Sequence, residues 1–166
     1  MAIDKIQSES INLADNFAFT GSVSGAGGGK VLQVVTDTLT SEYTTSSTSW
    51  SDTGLTLNIT PSATSSKILI LVQLAGIYSN TASQWLTYTL DRGGSNLGNA
   101  TYGIGGLVDH NDGRIIVGDG VVYMDSPSST SSLTYKIQGR LVNASGAGQI
   151  SQNNITSSLV AMEIGA

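Results

Sequence analysis

The feature that most constrains the fold is a regular alternation of apolar and polar residues in short segments after residue 30. Residues 55–60 (LTLNIT) alternate three apolar side chains with Thr and Asn. A period of two residues is typical of a β-strand that turns one face to a core and the other to solvent. Residues 67–75 (KILILVQLA) are apolar on both faces, which predicts a strand at the centre of a β-sandwich.

Further strands are predicted in six other segments. These are residues 31–36, 84–91, 115–117, 121–124, 133–142 and 155–164. Turn-forming sequences separate the strands, such as residues 61–66 (PSATSS) and 92–96 (RGGSN), where paired glycines permit the positive φ of a hairpin. No convincing pattern of an amphipathic helix follows residue 30. The sequence therefore predicts an all-β protein, an antiparallel β-sandwich that is jelly-roll-like.

Charge and composition limit the partners of the chain. It has 166 residues, enough for one domain, and a net charge of −5, with seven Lys and Arg residues scattered along it. We expect no nucleic-acid partner, because phosphate binding needs clustered positive charge.

Cysteine is absent, which excludes disulfides and thiolate metal sites. Residues 67–78 form the longest apolar stretch and are too few to span a bilayer, so we expect no membrane insertion.

A glycine-rich segment, residues 21–30 (GSVSGAGGGK), invites comparison with phosphate-binding loops. The P-loop pattern fails, because Ser24 stands where its first glycine is required and Val31 where Ser or Thr is required. The dinucleotide pattern fails at Lys30, and no helix is predicted after it. We therefore interpret residues 21–30 as a linker.

Residues 1–20 form an arm before this linker. Its apolar residues Ile11, Leu13, Phe17 and Phe19 are spaced nearer to two than to three and a half residues. The arm is too short for a core of its own, and we expect it to become ordered by docking on another chain. The alternative is a disordered terminus. The predicted organisation is an arm at 1–20, a linker at 21–30 and a β-sandwich domain at 31–166.

Several phrases of the sequence resemble the C-terminal domains of tail-fibre and virion-surface proteins of tailed bacteriophages. They are GKVLQVV, WSDTGLTLNITPSATSSKILILV, MDSPSSTSSLTYKIQGRLV and the terminal LVAMEIGA. The arm is similar to leader segments that precede such domains. The resemblance implies a homotrimeric β-sandwich on the virion surface. Taken with the apolar pattern of the arm, it predicts anchoring to capsid or tail proteins through Ile11, Leu13, Phe17 and Phe19. It leaves open whether the protein is a fibre tip or a capsid decoration protein.

The sequence contains few of the residue patterns that are typical of enzyme active sites. His110 is the only histidine, and no G-x-S-x-G motif occurs. The loop at residues 109–113 (DHNDG) offers calcium ligands, but Gly113 stands where an EF-hand needs an oxygen, so a polar loop is the preferred interpretation. The carboxylates available for glycoside cleavage are those of Asp91, Asp109, Asp112, Asp119 and Glu163. Loop Asp residues usually cap turns, and Glu163 is expected to pair with Arg140 or Lys136 of a neighbouring copy. We expect no enzyme activity, no cofactor and no metal.

Aromatic residues are the better candidates for recognition. Trp85 and Tyr88 lie in one predicted strand at odd spacing, so they face opposite sides and only one of them can be in the core. The candidate ligand-contacting residues are Trp85, Tyr88, Tyr102 and His110. Core packing is the alternative for each aromatic residue.

Three functional classes follow from these features. The favoured class is a structural virion protein, a trimeric knob that acts as a capsid decoration or cement protein or as a short fibre. A closed trimer would also protect exposed strand edges from open-ended aggregation. The alternative is a tail-fibre tip that binds host surface polysaccharide. The third class, a depolymerase, lacks a recognisable acid pair.

Overall fold

The computed structural model describes residues 30–79, 81–109, 115–143 and 146–165. These residues form two antiparallel β-sheets packed as a sandwich, which confirms the all-β prediction. The strands are β1 (Val31–Leu39), β2 (Tyr43–Thr45), β3 (Ser51–Ile59), β4 (Lys67–Ser79), β5 (Trp85–Arg92), β6 (Ser95–Asn96), β7 (Gly105–Val108), β8 (Ile115–Asp125), β9 (Leu133–Leu141), β10 (Gly148–Ile150) and β11 (Ser157–Ile164). The arm at 1–20 and nearly all of the linker lie outside the described residues.

The first sheet is built around β4. On one side β4 pairs with β8 along most of its length, and on the other it pairs with β11 and then with β10. Strand β1 extends the sheet beyond β11, and β2 extends it beyond β10. The central position of β4 agrees with the prediction made from its continuous apolar sequence.

The second sheet has the order β3, β9, β5, with β6 and β7 pairing with different parts of β5. Side chains that alternate inward from the two sheets form one hydrophobic core. Its fully buried members include Leu55, Ile70, Leu74, Leu90, Ile137 and Leu141. Full burial of an aliphatic side chain of this size contributes roughly 2 kcal/mol, so the core is the main source of stability.

Each predicted strand segment contains a strand, but several boundaries were wrong. Strands β1 and β4 continue to Leu39 and Ser79, beyond the predicted ends at 36 and 75, and β3 begins at Ser51, before the predicted start at 55. Residues 115–117 and 121–124 belong to the single strand β8, which runs through Gly118 and Gly120 because its pairing with β4 continues there. Strand β11 begins at Ser157, and Ile155 lies outside it, 44% exposed. The predicted hairpin is confirmed, with Gly93 at φ 56° and Gly94 at φ 92°.

Candidate functional site

An aromatic patch lies on the outward side of the second sheet, at the end where β5 begins. We define it as Trp50, Trp85, Tyr102 and Arg140. The rings of Trp85 and Tyr102 are stacked, with centroids 4.6 Å apart and planes at 27°. The Arg140 guanidinium carbon lies 5.1 Å from the centroid of the Trp50 ring, within cation–π range. Tyr102 is 48% exposed, so the stacked pair is accessible to solvent.

The loop that carries Tyr102 is fixed by its own hydrogen bonds. Asn99 and Gly103 exchange two backbone hydrogen bonds, each 2.9 Å long. The Asn99 side-chain oxygen accepts a hydrogen bond from the Tyr102 N–H at 2.9 Å. The Trp50 ring nitrogen donates to the carbonyl of Ala100 at 3.1 Å. These bonds hold the loop and the Trp50 ring together as one unit.

Gly103 allows this loop to lie directly on the sheet. Its φ of 65° is in the left-handed region that favours glycine. A Cβ atom at this position would collide with the Tyr88 carbonyl and would lie 2.9 Å from the Trp50 ring. The adjacent Ile104 N–H donates to that same carbonyl at 2.9 Å. Any side chain at Gly103 would therefore push the loop away from β5.

The prediction that Tyr88 contacts a ligand is wrong. Tyr88 is fully buried in the core, where its hydroxyl donates to Asp119 Oδ2 at 2.6 Å. Burial, reinforced by this hydrogen bond to a carboxylate, raises the pKa of Tyr88 above its ordinary value. Trp85 and Tyr88 do face opposite sides of β5, as their odd spacing predicts, and Tyr88 is the one in the core.

Other predicted site residues lie outside the described residues. His110 and Asp112 belong to such a segment, as do Ile11, Leu13, Phe17 and Phe19 of the arm. Of the four candidate ligand contacts, the structure brings together Trp85 and Tyr102. Arg140 was missed at this site, because its guanidinium reaches Trp50 only through the pairing of distant strands.

The prediction that Glu163 pairs with a cation of a neighbouring copy is also wrong. Glu163 is 1% exposed, and both of its oxygens are used within its own chain. One oxygen accepts from the Ser62 N–H at 2.7 Å, the Ser62 hydroxyl at 2.6 Å and the Ser66 hydroxyl at 2.7 Å. The other accepts from Gln33 Nε2 at 2.7 Å. Burial by itself would raise the pKa of Glu163, but these four hydrogen bonds lower it to about 2.

The remaining described carboxylates also have structural partners. Asp91 Oδ1 accepts from the Gly94 N–H at 2.9 Å, which caps the hairpin as expected for a loop Asp. Asp125 accepts from Arg92 and from the Tyr135 hydroxyl. Asp52 accepts from Lys136 Nζ at 2.9 Å.

Within the described ranges, no three His, Cys, Asp or Glu side chains are placed to hold a metal ion. Among the same residues, no helix is long and apolar enough to span a membrane.

A second candidate surface is the outward side of the first sheet, where apolar side chains form a continuous block. We call this block the outer apolar face and define it by Val34 of β1, Val160 and Met162 of β11, Leu69 and Leu71 of β4, and Val122 and Met124 of β8. One cross-strand row runs Val34, Met162, Leu69, Met124, and the next runs Thr36, Val160, Leu71, Val122. The outer apolar face is therefore four strands wide in its first row and three strands wide in its second, where Thr36 occupies the position on β1.

Exposure on this face is greatest at its two edge strands. Val122 is 70% exposed, Val34 52% and Met124 48%. A shallow groove of about 460 Å³ lies beside Leu71 and Val122, where Gly120 has no side chain to fill the space. On a soluble protein the largest exposed apolar patch is often a functional surface, which makes this face a candidate interaction site.

Neither a protein-family model nor a curated protein sequence matches this chain. Its function therefore has to be inferred from its two candidate surfaces and its fold.

Proposed function

We propose that this chain is a structural protein of a phage particle, a trimeric knob displayed on the virion surface. In this proposal residues 1–20 anchor it to capsid or tail proteins through Ile11, Leu13, Phe17 and Phe19. The observation that carries the proposal is the outer apolar face. A sheet face of this kind serves assembly better than catalysis, because it supplies apolar contact area and few polar groups.

The strand order supports a jelly-roll arrangement of the sandwich. The row β1, β11, β4, β8 packs on the row β3, β9, β5, β7. These rows contain eight of the eleven strands, and the short strands β2, β6 and β10 extend the two sheets. A double sheet with two rows of four strands is common in capsid proteins. The scaffold thus fits a protein whose role is to be displayed and to associate.

The test is the position of the protein in purified particles, determined by cryo-electron microscopy. Many copies at capsid symmetry axes would identify a decoration or cement protein, and a few trimers at the tail would identify a fibre tip. Deleting residues 1–20 should leave a folded oligomer that no longer joins the particle. The proposal fails if particles lack the protein, and the anchoring role fails if the truncated chain still assembles.

The aromatic patch favours a second candidate function, the binding of host surface polysaccharide. The specific observation is the accessible stack of Trp85 on Tyr102, because exposed aromatic rings next to a polar group suit a ligand with apolar and hydroxyl faces. On a glycan array, Trp85→Ala should abolish binding. Ile155→Ala, which changes an exposed apolar residue outside the patch, should leave binding intact. Equal binding by both variants would remove the patch as a receptor site.

A further inference from the structure

We infer that the outer apolar face is the surface through which this chain binds a second copy of itself. This inference rests on the proposed function, because it assumes that the protein is part of an assembly. It adds the identity of the partner that the outer apolar face binds. It commits to a face-to-edge contact between identical chains, because a heterologous contact of this kind can close a trimer.

The first support is the area that the face supplies. Val34, Val122 and Met124 are each about half exposed or more, and the half-buried residues between them complete the block. Together these side chains expose on the order of 500 Å² of apolar surface, the upper part of the range for the largest patch of a monomer. A standard interface buries about 800 Å² per partner, so the face supplies more than half of that area and residues at its rim would supply the rest.

The second support is the charge of the face. Among the outward-facing positions of β1, β11, β4 and β8, all of which are described, Lys67 is the only charged residue. The whole chain carries a net charge of −5, so two copies repel each other across most orientations. Contact through the neutral face keeps the acidic groups apart, and like charges brought together at an interface are costly. A strongly charged partner would find no complementary groups there.

The third support comes from the two edges of the same sheet. Strand β8 is eleven residues long and β1 is nine, and each pairs with only one strand among the described residues. Exposed apolar residues lie on both, at Val34 and at Val122 and Met124. A long apolar edge strand is a template for uncontrolled pairing unless something covers it. A closed ring in which the face of one copy packs on an edge of the next covers the face and one of these edges in every copy.

The strongest competing occupant is the arm of the same chain. The Lys30 carbonyl accepts a hydrogen bond from the Gly165 N–H at 2.8 Å, so the chain enters β1 beside Ile164, at the border of the face. The eleven residue-to-residue steps from Phe19 to Lys30 span about 36 Å when extended, which is enough for the arm to reach the face of its own copy. The two occupants differ in one measurable property, because binding of a second copy depends on protein concentration and docking of the arm does not.

The test uses single cysteines, which the absence of natural cysteine makes specific. Val122→Cys places a thiol on the face, and Ile155→Cys places a control thiol on an exposed residue outside it. The rate of alkylation by N-ethylmaleimide is followed by mass spectrometry on the full chain, from submicromolar to high micromolar concentration. We expect the thiol at 122 to react roughly tenfold more slowly than the control at high concentration, and to lose this protection on dilution.

Two other outcomes would overturn the inference. Protection that persists on dilution in a chain that sediments at the monomer mass of 17.1 kDa would mean that residues 1–29 of the same chain cover the face. Rapid alkylation at all concentrations would mean that the face is open. The particle experiment is independent of both, so an open face on a protein found in virions would refute this inference while leaving the proposed function in place.

A mass measurement gives a second reading. Sedimentation of the wild-type chain should give a multiple of 17.1 kDa, whereas Val122→Glu should give 17.1 kDa. Val122 is 70% exposed, so this change adds a charge to the contact without disturbing the core. Ile155→Glu, which adds the same charge outside the face, should keep the wild-type mass. An oligomeric Val122→Glu protein would place the contact elsewhere.

Discussion

The buried carboxylate of Glu163 offers the sharpest test of the energetics of the fold. The proposed change is Glu163→Gln, which keeps the shape of the side chain and removes its charge. Three donors from Ser62 and Ser66 converge on one oxygen, and Gln33 donates to the other. Hydrogen bonds to a charged acceptor contribute up to about twice as much as neutral ones. In the glutamine variant the remaining oxygen can keep the three serine donors as neutral bonds, but the amide nitrogen cannot accept from Gln33. We therefore expect the free energy of unfolding to fall by about 2–3 kcal/mol at pH 7.

The sign of the pH dependence follows from the pKa of Glu163. Its folded pKa of about 2 lies below the ordinary value of 4.5. The ionised carboxylate therefore stabilises the fold above pH 4.5, and this contribution is lost as the pH falls from 4.5 towards 2. The stability difference between wild type and Glu163→Gln should shrink over that window, because the glutamine does not titrate.

Urea denaturation followed by circular dichroism at pH 7, 5, 3 and 2.5 measures this difference. Glu42→Gln is the matched control, because Glu42 is an exposed carboxylate that also accepts hydrogen bonds, and its change should stay within about 0.5 kcal/mol. A glutamine variant that is more stable at pH 7 would show that desolvation of the charge outweighs its hydrogen bonds. A difference that is constant from pH 7 to 2.5 would refute the lowered pKa.

Two further predictions concern single packing and hydrogen-bond features. Gly103→Ala should destabilise the fold by about 3 kcal/mol, because it adds a clash with β5 to the strain of a positive φ. Gly93→Ala should cost only about 1 kcal/mol, because Gly93 has a similar φ of 56° but nothing lies within 4 Å of the added Cβ. Thermal unfolding of the two variants measures this difference. Tyr135→Phe should cost about 1–2 kcal/mol in urea denaturation, because it removes the buried hydroxyl that donates to Asp125, and an unchanged midpoint would mean that this bond adds nothing to stability.

The alternation of residues was enough to predict most of the strands and the fold class. In β9 the pattern of Leu133, Tyr135 and Ile137 against polar residues has a period of two, and in β3 Leu55, Leu57 and Ile59 show the same period. Strands β2, β7 and β10 have three or four residues each and were missed, because their formation depends on pairing with longer strands. The middle of β8 was not predicted as a strand because it contains glycines, which have a low strand propensity. A strand that pairs with a long neighbour tolerates such residues.

The candidate surfaces were harder to predict than the fold. The sequence identified Trp85 and Tyr102 as recognition candidates, but Trp85 stacks on Tyr102 only because the loop before β7 folds back onto β5. The sequence did not predict that Tyr88 is the buried residue. The odd spacing of Trp85 and Tyr88 shows that they face opposite sides of β5, but it does not show which side faces the core. The outer apolar face did leave a trace in the sequence, because β4 is apolar on both faces while a two-layer sandwich buries only one face of each sheet.

The two outward surfaces of the sandwich differ in a way that links both proposals. The outward side of the first sheet is apolar and nearly uncharged, whereas that of the second sheet carries Lys136, Arg140 and the stacked pair of Trp85 and Tyr102. If copies associate through the outer apolar face, the second sheet of each copy points away from the contact. Self-association and ligand binding would then use opposite sides of the molecule. Val122→Glu should therefore abolish self-association without changing the intrinsic affinity of the aromatic patch for its ligand. A variant that lost both together would show that the aromatic patch is completed by a neighbouring copy.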